Sequence, residues 1–122
     1  MVTFTVGPDV TGATPVLRPG QRTLSGLVLA FLATAEGFVP ERHTVFFSRD
    51  YRAEFRDLFK ARRLPAEPTV YLCAQDRDGE HAGPPEGEER FLIVINAPAA
   101  ADVQPLPDAE IEQCQSRAFA LM

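Results

Sequence analysis

A strand-like run that passes into a helix without a connecting loop is the feature that most constrains this fold. Residues 43–48 read HTVFFS, a β-branched and aromatic run typical of a strand. The next stretch, up to Arg63, repeats its apolar residues at helical spacing. Ser48 or Asp50 can cap that helix, because a short side-chain oxygen accepts a free backbone N–H of the first turn. The end of a strand must therefore lie directly beside the start of a helix.

The predicted helix has two distinct faces. It ends near Arg63, since Pro65 disfavours helical conformation at the residue before it. One face collects the residues at i, i+4, i+7, i+8 and i+11, which are Tyr51, Phe55, Leu58, Phe59 and Arg62. Another face carries a basic stripe of Arg52, Arg56, Lys60 and Arg63. Two readings of the stripe stay open: a solvated face neutralised by nearby acids, or a contact with anionic lipid headgroups or another domain.

Further β-rich runs supply the rest of a sheet. Residues 69–75 and 91–96 read as two antiparallel strands joined by a long polar loop, and residues 2–6 as a short strand. Residues 7–23 form a linker with three prolines and three glycines. Residues 24–36 are ambiguous, because their apolar residues follow a helical spacing but lack a polar face opposite it, as a buried strand also does.

A last helix is predicted near the end of the chain. Pro107 suits its first position, and Asp108 and Glu110 lie in its first turn, where negative charge is favourable. Its buried stripe is Ile111, Cys114, Ala118 and Leu121. The sequence reaches Met122 without a capping glycine or polar tail, which suggests a piece of something longer. The elements together predict a single α+β domain.

Composition excludes several classes of protein. The chain has 122 residues and a net charge of -5, which argues against a nucleic-acid partner. We predict a cytoplasmic protein, because no export signal is present and the longest apolar run, 24–35, is shorter than the roughly 20 residues of a membrane span. Cys73 and Cys114 are therefore predicted to be reduced and buried.

No catalytic or metal site is predicted from motifs. The glycines Gly79, Gly83 and Gly87 lie among acidic residues that would repel phosphate, and no nucleotide-binding loop is present. His43 and His81 have no neighbouring nucleophile. Residues 76–78 are interpreted as a solvated turn with a local ion pair, since a calcium loop needs more regularly spaced oxygens.

The segment 43–78 nevertheless resembles the phytoene-desaturase family of FAD-dependent carotenoid desaturases. His43, Phe46 and Phe47 begin a segment of the family type HxxxFFSxDYxxEF, which continues through Ser48, Asp50, Tyr51, Glu54 and Phe55. LPxxPTVY follows at 64–71, and CAQDR at 73–77 is most similar to the branch that desaturates hydroxy- or methoxyneurosporene. The resemblance covers residues 24–122, extending through 90–99 and 108–122, whereas residues 1–23 do not look familial.

The resemblance implies a fragment of the substrate domain. Members of the family are several hundred residues long and bind FAD through a glycine-rich motif that this sequence lacks, so the chain is expected to bind no FAD and to be inactive alone. The implied fold is a mixed, mostly antiparallel sheet with helices packed on one face. Residues 24–36 then become a strand, and Tyr51, Phe55, Leu58 and Phe59 would attach the helix to the sheet. The expected partners are the FAD domain of the parent enzyme, an acyclic carotenoid, and a membrane surface at which the protein would be peripheral.

The sheet would form part of an apolar substrate tunnel. The expected wall residues come from alternate positions of the strands: Val28, Ala30, Leu32, Tyr71, Cys73, Ile93 and Ile95. The alternative function is a stand-alone module that binds an apolar ligand or forms a homodimer through exposed faces, without catalysis.

Overall fold

Four antiparallel strands form the centre of the protein. The structure is a computed structural model that describes residues 18, 21–77, 86–99 and 104–122. The strands are β1 (Ser25–Ala33), β2 (His43–Phe46), β3 (Val70–Ala74) and β4 (Glu89–Ala97), and they lie side by side in the order β1-β4-β3-β2. With two helices added, the predicted α+β class is confirmed. The predicted strand at 2–6, and the predictions for Asp78, Gly79, His81 and Gly83, concern residues outside the described part of the chain.

The register gives the sheet two different faces. Leu29 pairs with Ile93, which pairs with Leu72, so these three side chains point to the same side, here called the core face. All three are buried, as are Val70 and Ile95. The other side, here called the open face, carries Val28 and Leu32, which are 52% and 63% exposed. Alternation along each strand thus separates a fully buried side from a partly exposed one.

Residues 25–33 are a strand, as the resemblance implied. All nine residues of β1 pair with β4, from Ser25 opposite Ala97 to Ala33 opposite Glu89. A helix formed by this run would have no polar side to face solvent. Pairing with the long apolar strand β4 satisfies the backbone N–H and C=O groups of the run instead. The helical alternative is wrong.

The first helix is shorter and less regular than predicted. It consists of α1 (Tyr51–Arg56) and a π-helical segment, Asp57–Ala61. Asp50 is the N-cap, and its Oδ1 accepts a hydrogen bond of 2.9 Å from the backbone N–H of Ala53. Arg62 ends the helical path with a positive φ of 53°. The last helical residue is therefore Ala61, two residues before the predicted end near Arg63.

The last helix, α2 (Asp108–Leu121), covers the core face. Cys114 and Ala118 are buried in the core, and the ring of Phe119 meets that of Phe31 at 5.2 Å between centroids. Two details differ from prediction. Pro107 is the N-cap rather than the first helical residue, and Leu121, predicted to be buried, is 39% exposed.

A buried ion pair joins the sheet to the segment that links its two outer strands. The guanidinium of Arg77 donates to both carboxylate oxygens of Glu89 and to the backbone carbonyl of Pro40. Arg77 and Glu89 are 4% and 1% exposed, so the pair is removed from water. The hydrogen bonds with Glu89 raise the pKa of Arg77. The link between β1 and β2 is thereby fixed against β4.

Candidate functional site

The open face of the sheet carries an apolar band that crosses all four strands. Val28, Val94, Tyr71 and Val45 follow one another as directly paired neighbours in a row from β1 to β2. A second row, parallel to the first, contains Ala30, Leu92, Cys73 and His43. With strands about 4.8 Å apart, each row is about 15 Å long. The band is therefore a broad apolar surface with one polar end, at His43.

The structure divides the seven predicted wall residues between the two faces. Val28, Ala30, Leu32, Tyr71 and Cys73 lie on the open face. Ile93 and Ile95 point the opposite way, into the core, where neither is exposed. A single sheet wall cannot contain both groups, because neighbours at odd spacing along a strand face opposite sides. The prediction did not include Val45, Leu92 or Val94. Alternation with Ile93 and Ile95 in the sequence could have shown Leu92 and Val94, whereas Val45 is placed by its pairing with Tyr71.

A hydrogen-bonded pair marks the polar end of the band. The Tyr71 hydroxyl and His43 Nδ1 lie 2.7 Å apart, and the two rings are stacked. Burial, together with the neighbouring Cys73 thiol, raises the pKa of the Tyr71 phenol. Tyr71 is therefore a neutral hydrogen-bonding group at physiological pH, next to an exposed histidine.

The two cysteines have different surroundings. Both are free thiols, as predicted. Cys114, on α2, is buried in the core, and this burial raises its thiol pKa to about 11. Cys73 is only partly buried, because it lies on the open face, so the prediction that both are buried is wrong for Cys73.

The aromatic side chains of the first helix do not attach it to the sheet. Tyr51 and Phe59 are 54% and 58% exposed, and Phe55 lies between them with ring centroids at 4.7 and 5.7 Å. Of the four residues predicted to pack, only Leu58 is buried. The rings instead form a row, here called the aromatic row, in which Tyr51 and Phe59 are exposed and Phe55 is half-buried. Phe47, just before the helix, is 68% exposed.

Two acidic side chains occupy the buried side of this helix. Glu54 is 1% exposed and accepts a hydrogen bond of 2.6 Å from the Thr69 hydroxyl, next to β3. Asp57 accepts from the Arg63 guanidinium at 2.7 Å and from the Ala66 backbone N–H at 3.1 Å. Because these hydrogen bonds hold the Glu54 and Asp57 side of the helix inward, the side with the aromatic row faces outward.

The basic stripe is exposed, but only some of its members form an ion pair. Arg63 forms the ion pair with Asp57, and Arg56 lies 4.0 Å from Asp50. Arg52 and Lys60 make no ion pair within the described part of the chain. By helical spacing, Arg52, Arg56 and Lys60 lie next to the aromatic row.

Other parts of the described structure are weaker candidates for a functional site. A cleft of about 220 Å³ between α2 and the 34–40 segment is lined largely by phenylalanine rings. It is smaller than the roughly 300–1,000 Å³ of common ligand sites. Within residues 18, 21–77, 86–99 and 104–122, no cluster of His, Cys, Asp or Glu could hold a metal ion. Neither described helix has the length and apolarity needed to cross a bilayer.

Comparisons with known proteins identify relatives of one kind. The chain is 44% identical over 117 residues to a hydroxyneurosporene desaturase of Rubrivivax gelatinosus, covering 96% of the chain and 22% of that protein. It is 43% identical over 100 residues to the hydroxyneurosporene desaturase of Rhodobacter capsulatus, covering 82% of the chain and 19% of that protein. A 1-hydroxycarotenoid 3,4-desaturase of a Flavobacterium is 34% identical over 56 residues, covering 46% of the chain and 11% of that protein. No protein-family model matches.

These matches confirm the resemblance to carotenoid desaturases and to their hydroxyneurosporene branch. The 117 matched residues extend beyond 24–122 into the first 23 residues, which the motifs did not cover. The chain spans about a fifth of the length of these relatives, 22% and 19% for the two hydroxyneurosporene desaturases above.

Proposed function

We propose that this chain, a homologue of one segment of the carotenoid desaturases, supplies an apolar wall of the substrate site in a larger enzyme and has no desaturase activity by itself. The open face is the wall. The observation that carries the proposal is the two-row apolar band, whose outer members Val28 and Val45 are 52% and 43% exposed and whose central members Tyr71, Cys73, Leu92 and Val94 are half-buried. A soluble protein rarely carries a continuous apolar patch of this kind on its surface unless a ligand or partner binds there.

The band suits a long unsaturated hydrocarbon. Its contacts are Val, Leu, Ala and Tyr side chains, which gain free energy when they are removed from water and offer few directed polar contacts. A carotenoid, the substrate class in the names of the relatives, has the same character along its chain. The substrate-binding role therefore rests on shape and apolarity rather than on catalytic groups.

The residues described do not fit a flavin site. Dinucleotide-binding turns join a parallel strand to a helix through glycines, so that the backbone can approach the pyrophosphate. Here the sheet is antiparallel, and the only described strand-to-helix turn, residues 47–50, contains no glycine. In a desaturase, FAD would therefore be held by other parts of the enzyme, and we derive no oxidation step from this chain.

The proposal is tested by titrating the purified chain with a detergent-solubilised acyclic carotenoid and, separately, with FAD. We expect a shift of the polyene absorbance on addition of protein and no change in flavin absorbance. The variant Val28→Ser/Val45→Ser removes two exposed members of the band and should weaken carotenoid binding at least tenfold, because each loses a contact of about 1 kcal/mol. The matched control Val39→Ser/Leu121→Ser alters two exposed aliphatic residues away from the open face and should bind normally.

Three results would count against the proposal. Stoichiometric FAD binding would show a flavin site that this fold does not suggest. Equal loss in both double variants would mean that the carotenoid adsorbs without using the open face. No polyene shift at any protein concentration would remove the wall function from this chain.

A further inference from the structure

Two polar side chains lie at one end of the apolar band, and the wall function does not explain them. The four band positions on β1 and β4 are aliphatic, namely Val28, Ala30, Leu92 and Val94. At the β2 end, the second row finishes in His43, and Tyr71 of the first row lies diagonally across from it on β3. Aliphatic residues at these two places would serve a purely hydrophobic wall equally well, so the pair needs a separate explanation.

The two side chains hold each other in a defined arrangement. The Tyr71 hydroxyl lies 2.7 Å from His43 Nδ1, and the rings stack with centroids 6.0 Å apart and an interplanar angle of 18°. Burial, followed by the Cys73 thiol, raises the pKa of the phenol, which therefore keeps its proton at neutral pH. The phenol donates to Nδ1, because the lone pair of a neutral imidazole nitrogen is a stronger acceptor than a phenol oxygen.

This arrangement leaves one donor that points away from the pair. When Nδ1 accepts from Tyr71, the ring proton of a neutral His43 is on Nε2. His43 is exposed, and within the described part of the chain its Nε2 has no hydrogen-bond partner. Because the stacking and the hydrogen bond fix the imidazole beforehand, a ligand that accepts from Nε2 loses little affinity to side-chain ordering.

The surroundings of the pair favour a neutral ligand group. The guanidinium of Arg42 is near enough to act electrostatically on the Tyr71 phenol, and it donates to the Arg77 backbone carbonyl at 2.7 Å. This positive charge repels a cationic group. A carboxylate is also a poorer match, because it has two oxygens to satisfy and His43 Nε2 offers a single N–H. A hydroxyl needs only one donor and leaves its own proton to solvent.

We propose that the pair formed by His43 and Tyr71 binds a hydroxyl group at the end of an otherwise apolar ligand. His43 donates from Nε2 to the hydroxyl oxygen, and Tyr71 is a positioning residue that fixes the imidazole. The hydrocarbon part of the ligand lies across the strands towards β1, over the length of about 15 Å of each row. The inference rests on the wall function proposed above and adds which end of the ligand lies at β2.

The test compares two detergent-solubilised acyclic polyenes of equal length, one with a terminal hydroxyl and one without. For each variant of the purified chain, the Kd of the hydrocarbon is divided by the Kd of the hydroxylated polyene, both measured from polyene absorbance. We expect this ratio to be about tenfold higher for the unaltered chain than for His43→Phe, which keeps a ring but loses the donor. Comparing variants cancels the different partition of the two polyenes into detergent.

Two further variants separate positioning from general packing. Tyr71→Phe removes only the hydroxyl that fixes the imidazole and should lower the ratio about threefold, because the imidazole is then free to turn. The control Gln113→Phe introduces the same ring at an exposed position on α2, on the other side of the sheet, and should leave the ratio unchanged. Circular dichroism should be the same for all variants, since each keeps or gains a ring without adding a buried charge.

The outcomes distinguish this inference from the wall function. If His43→Phe changes the binding of both polyenes equally, or of neither, the inference is overturned, and the wall function is still judged by Val28→Ser/Val45→Ser. If neither polyene binds the unaltered chain, both are wrong. Long-range ¹H–¹⁵N spectra give a check without a ligand: His43 should carry its proton on Nε2, and a proton on Nδ1 would contradict the inference.

Discussion

Glu89, which forms a buried ion pair with Arg77, is the clearest case of a single residue on which the stability of this fold depends. Both side chains are buried, and Arg77 also binds the Pro40 carbonyl. We expect Glu89→Ala to lower the free energy of unfolding by about 3–5 kcal/mol, because it leaves a guanidinium uncompensated away from water. Urea unfolding followed by circular dichroism measures this loss.

A nearby exposed ion pair provides the control. Asp76 pairs with Arg90 on the surface, and Asp76→Ala should cost much less than Glu89→Ala, because water replaces the lost partner. If Glu89→Ala fails to fold, the apolar replacement Arg77→Met/Glu89→Leu should recover a folded protein, since no unpaired charge remains. Equal losses in Asp76→Ala and Glu89→Ala would show that burial does not matter here.

The helix α1 depends on its cap more than on apolar packing. It has only six residues, and its ring side chains are exposed, so its first turn relies on the Asp50 carboxylate that accepts from Ala53. We expect Asp50→Ala to lower the free energy of unfolding by about 1 kcal/mol. Asp50→Asn keeps an acceptor oxygen at the same place and should remain near the original stability, measured by urea unfolding. A loss of the same size in Asp50→Asn would assign the effect to charge rather than capping.

Periodicity predicted the existence of this helix but not its orientation. Tyr51, Phe55 and Phe59 share a face, and an apolar face normally packs inward. Here Glu54 and Asp57 turn inward because Thr69, Ala66 and Arg63 supply hydrogen bonds that no local pattern reveals. The Asp50 cap, by contrast, was predictable, because capping depends on residues only three positions apart.

For the protein as a whole, two carboxylates with lowered pKa values are expected to contribute to the loss of stability in acid. Burial by itself raises the pKa of Asp57, but hydrogen bonds from Ala66 and Arg63 outweigh it, and the pKa lies below its ordinary 3.8. Hydrogen bonds from Arg90 likewise hold the pKa of Asp76 below 3.8. A carboxyl with a lower pKa in the folded chain stabilises the fold above its unfolded pKa, and this contribution disappears as the pH falls through the folded pKa.

We therefore expect the urea midpoint to fall as the pH is lowered below about 4, where unfolded aspartates take up protons. Asp57→Asn/Asp76→Asn should be less stable at neutral pH and should show a shallower decline in acid, measured as the urea midpoint against pH. An unchanged slope in the double variant would assign the acid response to other groups.

The sequence by itself determined the local elements and the resemblance to carotenoid desaturases. The strands 69–75 and 91–96, the last helix and the desaturase motif are all readable, because side-chain alternation, turn residues and motif spacing are properties of neighbouring residues. The family resemblance also implied a strand at 24–36, which periodicity alone left open. Tertiary structure decided that Ile93 and Ile95 face the core while Val28 and Tyr71 face the other side, and that Tyr51 and Phe59 are exposed. Those outcomes depend on pairing and hydrogen bonds between residues distant in sequence, such as Leu29 with Ile93 or Glu54 with Thr69, which only the folded chain brings together.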